Sequence, residues 1–254
     1  MIDVVIQGIC GRMGKTLVAM LGERGDCRVV AGVDRFDDGT AGCPVFDTID
    51  KLDSLEQKPD VLIDFSLPEA VPPMLAYCAA RGLPCVVCTT GLDDGIKAQI
   101  RDAGCKTAVF YSANMSIGVN LLAKLARRAA AALPSFDIEI IEKHHHNKLD
   151  APSGTALMLA EEINNELDGR LEYVYDRHNR RQKRGANELG LHAVRGGSIV
   201  GEHEVLFAGP DEVITLAHSA GSRSVFANGA VIAALFLHDK APGLYSMNDV
   251  LEDV

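Results

Sequence analysis

The sequence predicts an α/β chain: a parallel sheet flanked by helices, then a smaller α+β part built on a mixed sheet. Three observations carry this. Up to Tyr111, short apolar, β-branched runs alternate with helical stretches, the pattern of strand–helix–strand crossovers and so of a parallel sheet. The runs end in polar or glycine-rich turns at Gly8, Asp34, Phe65-Ser66, Thr89-Thr90 and Ala113-Asn114, and ligands of parallel sheets bind beyond the carboxyl ends of the strands. Well after Ser116, three strand-like runs follow one another with no helix between them, which implies antiparallel or mixed pairing.

The first strand is the apolar run over residues 3–8. Gly8-Ile9-Cys10-Gly11-Arg12-Met13-Gly14 follows and leads into a helix over 15–21. A glycine turn between a strand and a helix is the setting that a dinucleotide pyrophosphate needs, because glycines turn tightly and let the backbone approach the phosphates. The spacing is G-x-x-G-x-x-G, not the commoner G-x-G-x-x-G, and Cys10 stands where a middle glycine is usual. The second strand, 27–33, ends at Asp34, 20 residues beyond Gly14. A carboxylate there accepts hydrogen bonds from adenosine ribose hydroxyls, and Arg35 is placed to meet a 2′-phosphate. The bland alternative is a surface acid–base pair at a strand end. Residues 61–65, 85–88 and 107–111 read as further strands, and Ser66-Leu67-Pro68-Glu69 as a turn that opens a helix.

A helix over 118–133 opens the second part. Residues 169–187 are polar and basic without a period and read as a loop. Strands follow over 190–200, 203–208 and 212–219, and the alanine-rich 224–237 reads as a helix that packs back on the first domain. The expected division is 1–114 plus 224–254 for dinucleotide binding, and 115–223 for the second domain.

Composition excludes several classes. A net charge of −10 over 254 residues disfavours a nucleic-acid partner. The one basic cluster, 177–184, reads as a solvated or interface loop. No apolar run reaches membrane-spanning length. The start, Met1-Ile2-Asp3-Val4, enters a strand-like run with no basic n-region or cleavage site, so a cytoplasmic protein is expected. Seven cysteines, an odd count in apolar segments, read as reduced thiols. Cys85 and Cys88 match C-x-x-C, but positions i and i+3 of a strand face opposite ways and cannot pair.

The densest concentration of proton-carrying groups lies in 139–157. His144, His145 and His146 stand between Lys143 and Lys148. An apolar run over 136–141 leads in as a strand, and Asp150-Ala151-Pro152-Ser153-Gly154-Thr155 leads out as a helix start. A strand thus ends in a loop of titratable cations, and the loop ends at a helix N-terminus. The N–H groups of Gly154 and Thr155 suit an anion such as a carboxylate, and glycine at 154 admits a close approach. A solvated loop, a tag remnant and a metal trap are the competing readings. Adjacent histidines rarely converge on one ion, and no suitably spaced Cys or Asp partner lies nearby. His203, in Gly201-Glu202-His203-Glu204, is not in an H-E-x-x-H arrangement. No metal is expected; an anion site with a proton donor is the preferred reading.

The stretch from Glu142 to Leu157, E-K-H-H-H-N-K-L-D-A-P-S-G-T-A-L, resembles the E-x-H-H-x-x-K-x-D-A-P-S-G-T-A signature of the 4-hydroxy-tetrahydrodipicolinate reductase (dihydrodipicolinate reductase) family. Gly11-Arg12-Met13-Gly14, Thr89-Thr90-Gly91, Asn114-Met115-Ser116-Ile117-Gly118 and the run from Ala193 to His203 support a resemblance over essentially the whole chain. It implies a reductase of lysine and diaminopimelate biosynthesis that uses NADH or NADPH. It also implies an N-terminal Rossmann domain and a second domain that binds a small dicarboxylate substrate and assembles a homotetramer. By position in the signature, His144 resembles the proton donor and acceptor, Lys148 the second proton donor, and His145 a substrate-binding residue. Gly154 and Thr155 resemble carboxylate binders. The turn from Gly8 to Gly14, Asp34, Arg35, Phe65, Cys88, Thr89, Thr90, Ala113, Asn114 and Met115 resemble cofactor contacts. Cys10 and Cys88 stand where the family often has glycine; both are small, so a slightly altered fit is implied.

The implied substrate is a cyclic imine with two carboxylates. Hydride delivery to the ring leaves electron density that needs a proton, and His144 and Lys148 are placed to supply it. Two domains imply closure, with hinges near 114–116 and 222–224. A different nicotinamide enzyme, acting on an aspartate-derived aldehyde, needs a nucleophilic thiol near the substrate domain, and Cys105 is the last cysteine. A nucleotide-sensing protein would keep the fold and lose the titratable groups, yet His144, Lys148, Gly154 and Thr155 are all present.

Overall fold

The structure, a computed structural model, describes residues 1–252. The chain forms two compact units: Met1–Ser116 with the segment from Ser224 onward, and Ile117–Arg223. No described helix is long and apolar enough to cross a membrane.

The first unit holds β1 (Ile2–Gln7), β2 (Cys27–Val33), β3 (Val45–Phe46), β4 (Val61–Asp64), β5 (Cys85–Val87), β6 (Ala108–Tyr111) and, after the second unit, β12 (Gly243–Tyr245). They make one sheet in the order β12-β6-β5-β4-β1-β2-β3, with every pairing parallel. Helices α1 (Arg12–Gly22), α2 (Val71–Arg81), α3 (Asp94–Gly104) and α6 (Ser224–Leu237) cover it, and α7 (Met247–Glu252) closes the described chain. Successive side chains of a strand point to opposite faces. Val5, Leu62, Cys85, Val87 and Val109 therefore share one face, packed against Met74, Leu75 and Cys78 of α2 and Ile100 of α3. Phe110 points the other way, and its ring meets Phe236 of α6 edge-on at 6.4 Å. Burial on both faces is why these strands read as continuous apolar runs. The edge strands β3 and β12 are too short to carry a period and are absent from the sequence expectation.

The second unit holds α4 (Ile117–Ala132), β7 (Asp137–His144), α5 (Gly154–Glu166), β8 (Glu172–Val174), β9 (Glu188–Arg195), β10 (Glu202–Ala208) and β11 (Val213–Ser219). Its five strands run β11-β10-β7-β9-β8. β7, β8 and β9 are mutually parallel, while β10 is antiparallel to both β7 and β11. The sheet is mixed, as the strand succession implies. Two expectations need correction. The loop expected over 169–187 contains β8, whose three residues are hidden among polar neighbours. Its basic cluster is not simply solvated. Arg177 pairs with Glu188, and Arg184 holds Asp137 at 2.7 Å and Glu139 at 2.9 Å, tying the loop to the starts of β7 and β9.

Ile138, Ile140, Val205 and Phe207 line one face of this sheet, against Ala126 and Ala130 of α4 and Leu159 and Ile163 of α5. Each such burial contributes roughly 1.5–3 kcal/mol. Along β7 the buried alternation continues past Ile140 to Glu142 and His144, which are 0% and 8% exposed. The strand thus runs beyond 141, and His144 is its last residue rather than part of the loop. A buried carboxylate costs several kcal/mol unless it is fully bonded. The change from isoleucine to glutamate on one face therefore marks the end of the core and the start of a polar site.

Candidate active site

In the first unit, β1 ends at Gly8, whose φ of +79° favours glycine. A Cβ there would lie 2.6 Å from the carbonyl oxygen of Phe65, and one at Gly14 would run into the carbonyls of Gly8 and Ile9. Gly11 caps α1 with no side-chain bond to the helix. The turn is thus bare backbone at a helix N-terminus, the arrangement that receives a phosphate. Ile9 is 1% exposed and anchors the turn. Asp34, just past β2, accepts the Cys10 N–H at 3.0 Å. Arg35 does not turn toward this loop: its guanidinium lies 3.4 Å from Glu69, and both side chains are exposed. Thr89 turns inward and donates to Asp64 at 2.7 Å, while Thr90 is exposed and Cys88 buried. Asn114 Oδ1 accepts the Ser116 N–H at 2.8 Å, and Met115 is buried beside Asn114, with Ala113 exposed. Burial pushes the Asp64 carboxyl up, against the bonds from Ser66, Thr89 and Gln7.

In the second unit, Glu142 is the hub. Arg195, the last residue of β9, grips it with two nitrogens, each at 2.7 Å. The Ser153 N–H reaches Glu142 Oε1 at 3.0 Å, and Nδ1 of His144 lies 2.6 Å from Oε2. Burial raises the Glu142 carboxyl, but the bonds from Arg195, His144 and Ser153 outweigh it and hold the group below its ordinary value. Ser153 is also the N-cap of α5: its Oγ accepts the Ala156 N–H at 3.1 Å and lies 3.0 Å from Nε2 of His203. His203 stands opposite Glu142 in the β10–β7 register, and its ring meets that of His144 edge-on at 5.2 Å. Burial, then the positive charge of His144, pushes His203 down to about 4, so it is neutral near pH 7.

The three consecutive histidines diverge. His144 is buried in the network, and Nδ1 of His145 is buried with no partner among the described residues. His146 is exposed, and its N–H donates to Gly197 at 3.3 Å. Lys148 Nζ lies 2.9 Å from Asp150, and that bond holds the Asp150 carboxyl low. Gly154 opens α5, and a Cβ there would meet nothing within 4 Å, so the helix N-terminus is approachable at this residue; Thr155 follows it in the first turn. Among the described residues, one grouping has metal-ligand spacing, Cys10 with Asp37 and Asp38. Lys15 already sits 2.5 Å from Asp38 there.

Comparison with known proteins gives the architecture a family. Residues 2–115 match the family model described as dihydrodipicolinate reductase, N-terminus, and residues 118–251 match dihydrodipicolinate reductase, C-terminus. The chain belongs to the dihydrodipicolinate reductase family. It is 48% identical over 252 residues to the 4-hydroxy-tetrahydrodipicolinate reductase of Caldanaerobacter subterraneus subsp. tengcongensis, covering 99% of each chain. It is 43% identical to that of Clostridium novyi, again with 99% of each covered. The dipicolinate-bound dihydrodipicolinate reductase from Paenisporosarcina sp. TG-14 superimposes with a TM-score of 0.83 at 28% identity, over 98% of this chain and 99% of that one.

Within this reductase family framework, the sequence reading overlooked Glu142, Ser153, Arg195 and His203 as members of this network. Glu142 carried a signal: it lies two residues before His144 on the alternation begun by Ile138 and Ile140. Arg195 carried none, because its partner is 53 residues away.

Proposed function

We propose that this chain reduces 4-hydroxy-tetrahydrodipicolinate to tetrahydrodipicolinate with NADH or NADPH, in the cytoplasm, where cell fractionation should find it. The observation that carries the reading is the strand-end cluster of the second unit. The proton carriers are His144, at the end of β7, and Lys148, on the loop that leads from it to the N-terminus of α5, in a chain of the same family as the named reductases. Gly154 and Thr155 receive a substrate carboxylate, His145 binds the substrate, and His144 and Lys148 supply the proton that the reduced ring needs. The cations also offset the net charge of −10 that a dianionic substrate meets.

The glycine turn fits a nicotinamide dinucleotide, because side chains at Gly8 and Gly14 would collide with backbone carbonyls. The backbone over residues 11–13 would hold the pyrophosphate and Asp34 the ribose hydroxyls, with Phe65, the 88–90 turn and the 113–115 turn as flanking contacts. When bound, the reduced cofactor supplies the hydride. Asp34 is already oriented by Cys10 and disfavours a 2′-phosphate. Arg35 must leave Glu69 to meet one, and an exposed pair of that kind is worth only about 0–1 kcal/mol. Both cofactors are therefore accepted, with NADH preferred by about tenfold or less, at most roughly 1.4 kcal/mol. The test is cofactor absorbance, followed with NADH and with NADPH, with and without a coupled synthase that makes the substrate. Substrate-dependent decay is expected with both; none with either would sink the assignment.

The same reading makes the protein a homotetramer. The family resemblance supports this, as does the sheet of the second unit, whose edge strand β11 leaves Val213 and Ile214 59% and 38% exposed. Light scattering at micromolar concentration should give the mass of four chains, and a monomer mass would overturn the proposal.

A further inference from the structure

We infer that His144 works as one fixed tautomer: Glu142, clamped by Arg195, holds the ring hydrogen on Nδ1, so Nε2 is the atom that exchanges the proton, and Gly201 leaves that atom uncovered. Glu142, Arg195 and Gly201 are then positioning residues. The inference rests on the reading of His144 as proton donor, and adds which nitrogen acts and what fixes it.

The donors around Glu142 fix the tautomer. Glu142 Oε1 accepts from Arg195 Nη2 at 2.7 Å and from the Ser153 N–H at 3.0 Å. Oε2 accepts from Arg195 Nη1 at 2.7 Å and faces His144 Nδ1 at 2.6 Å. A guanidinium stays protonated and only donates, and an ionised carboxylate only accepts. The remaining partner, Nδ1, must therefore carry a hydrogen toward Oε2. A neutral imidazole has one hydrogen, so Nε2 is left as the basic atom. Arg195 has a second effect. It balances the Glu142 charge and fixes the carboxylate that orients the ring.

Nε2 is also the atom with room beside it. A Cβ at Gly201 would lie 3.1 Å from it. Gly201 is buried at the foot of β10, and its φ lies outside the left-handed region, so backbone conformation does not demand glycine here. Space beside His144 does. The rings of His144 and His203 meet edge-on at 5.2 Å. Around the two rings stand Glu142 on β7, Arg195 on β9, His203 on β10, His218 on β11, and Lys148 and Asp150 on the loop. His203 is held neutral chiefly by burial, so it does not compete as the acid.

The test is NMR on the full-length protein labelled with ¹⁵N-histidine, with the His144 signals identified by their loss in His144→Asn. Hydrogen on Nδ1 is expected, with Nε2 alone titrating; hydrogen on Nε2 in the neutral ring would overturn the inference. Glu142→Gln should disturb the tautomer, lower kcat about 10²-fold, move the alkaline limb of its pH profile to lower pH, and leave cofactor affinity unchanged. A normal kcat and pH profile there would remove Glu142 from the role. Should that variant fold poorly, Gly201→Ala decides the second half: it should keep the Nδ1–H tautomer while kcat drops by about tenfold or more, and an unchanged kcat would refute the uncovered Nε2. The spectrum needs neither turnover nor cofactor. A failed reductase assay would therefore sink the proposed reaction, while the tautomer is judged separately.

Discussion

His144→Ala is expected to lower kcat by about 10²-fold or more, and Lys148→Ala to do the same, the scale of a lost positioned proton donor. Neither change should unfold the protein. Without His144, Glu142 still has both nitrogens of Arg195 and the Ser153 N–H, so no buried charge is left unpaired. Among the described residues, the Lys148 ammonium pairs with Asp150, whose side chain is 58% exposed. Cofactor affinity should hardly move, because the glycine turn and Asp34 belong to the other unit. Steady-state kinetics and cofactor titration on each variant check this. A variant with near-normal kcat takes its residue out of the mechanism; one that loses cofactor affinity shows that the two units are coupled.

Gly229→Ala should destabilise the first unit by about 3 kcal/mol or more, because the new methyl would run into the carbonyl oxygen of Met115. Overpacking against a movable side chain typically costs 1–3 kcal/mol; here the obstacle is backbone, and α6 must shift as a body to clear it. At this chain length that corresponds to a fall in Tm of roughly 6 °C or more. Gly22→Ala is the control. It sits at the exposed end of α1 with nothing within 4 Å of a new Cβ, so a change within about 1 kcal/mol is expected. Equal Tm values for the two variants would show that the α6 contact yields easily.

These two glycines look alike in the sequence, and so mark where reading it stops. The parallel sheet was legible because its strands are apolar on both faces and announce themselves as runs. β3 and β12 were not, since two or three residues hold no period. The glycine turn and Asp34 were legible because they act within one strand–helix–strand unit. The polar hub of the second unit was only half legible. His144, Lys148 and the α5 start lie on one short segment, but Arg195 and His203 arrive from β9 and β10 by register, which nothing local encodes. Placing His144 in a loop was an error of the same kind. The alternation that buries Ile138 and Ile140 continues through Glu142 and His144, and a polar residue in a buried position looks like the end of a strand.

The interruption of the first unit by the second sets an order of events during synthesis. Strands β1 to β6 leave the ribosome before the second unit is made, whereas α6, which lies on β4, β5 and β6, comes after it. The sheet face that carries Ile63, Val86 and Phe110, each 0% exposed in the finished fold, waits uncovered meanwhile. At bacterial or eukaryotic translation speeds, the roughly one hundred residues in between hold it open for about 5–20 s. The second unit is a continuous stretch and has that interval to fold. The nascent first unit spends it with an apolar strip exposed, the kind of surface that invites a chaperone or a neighbouring unfinished chain.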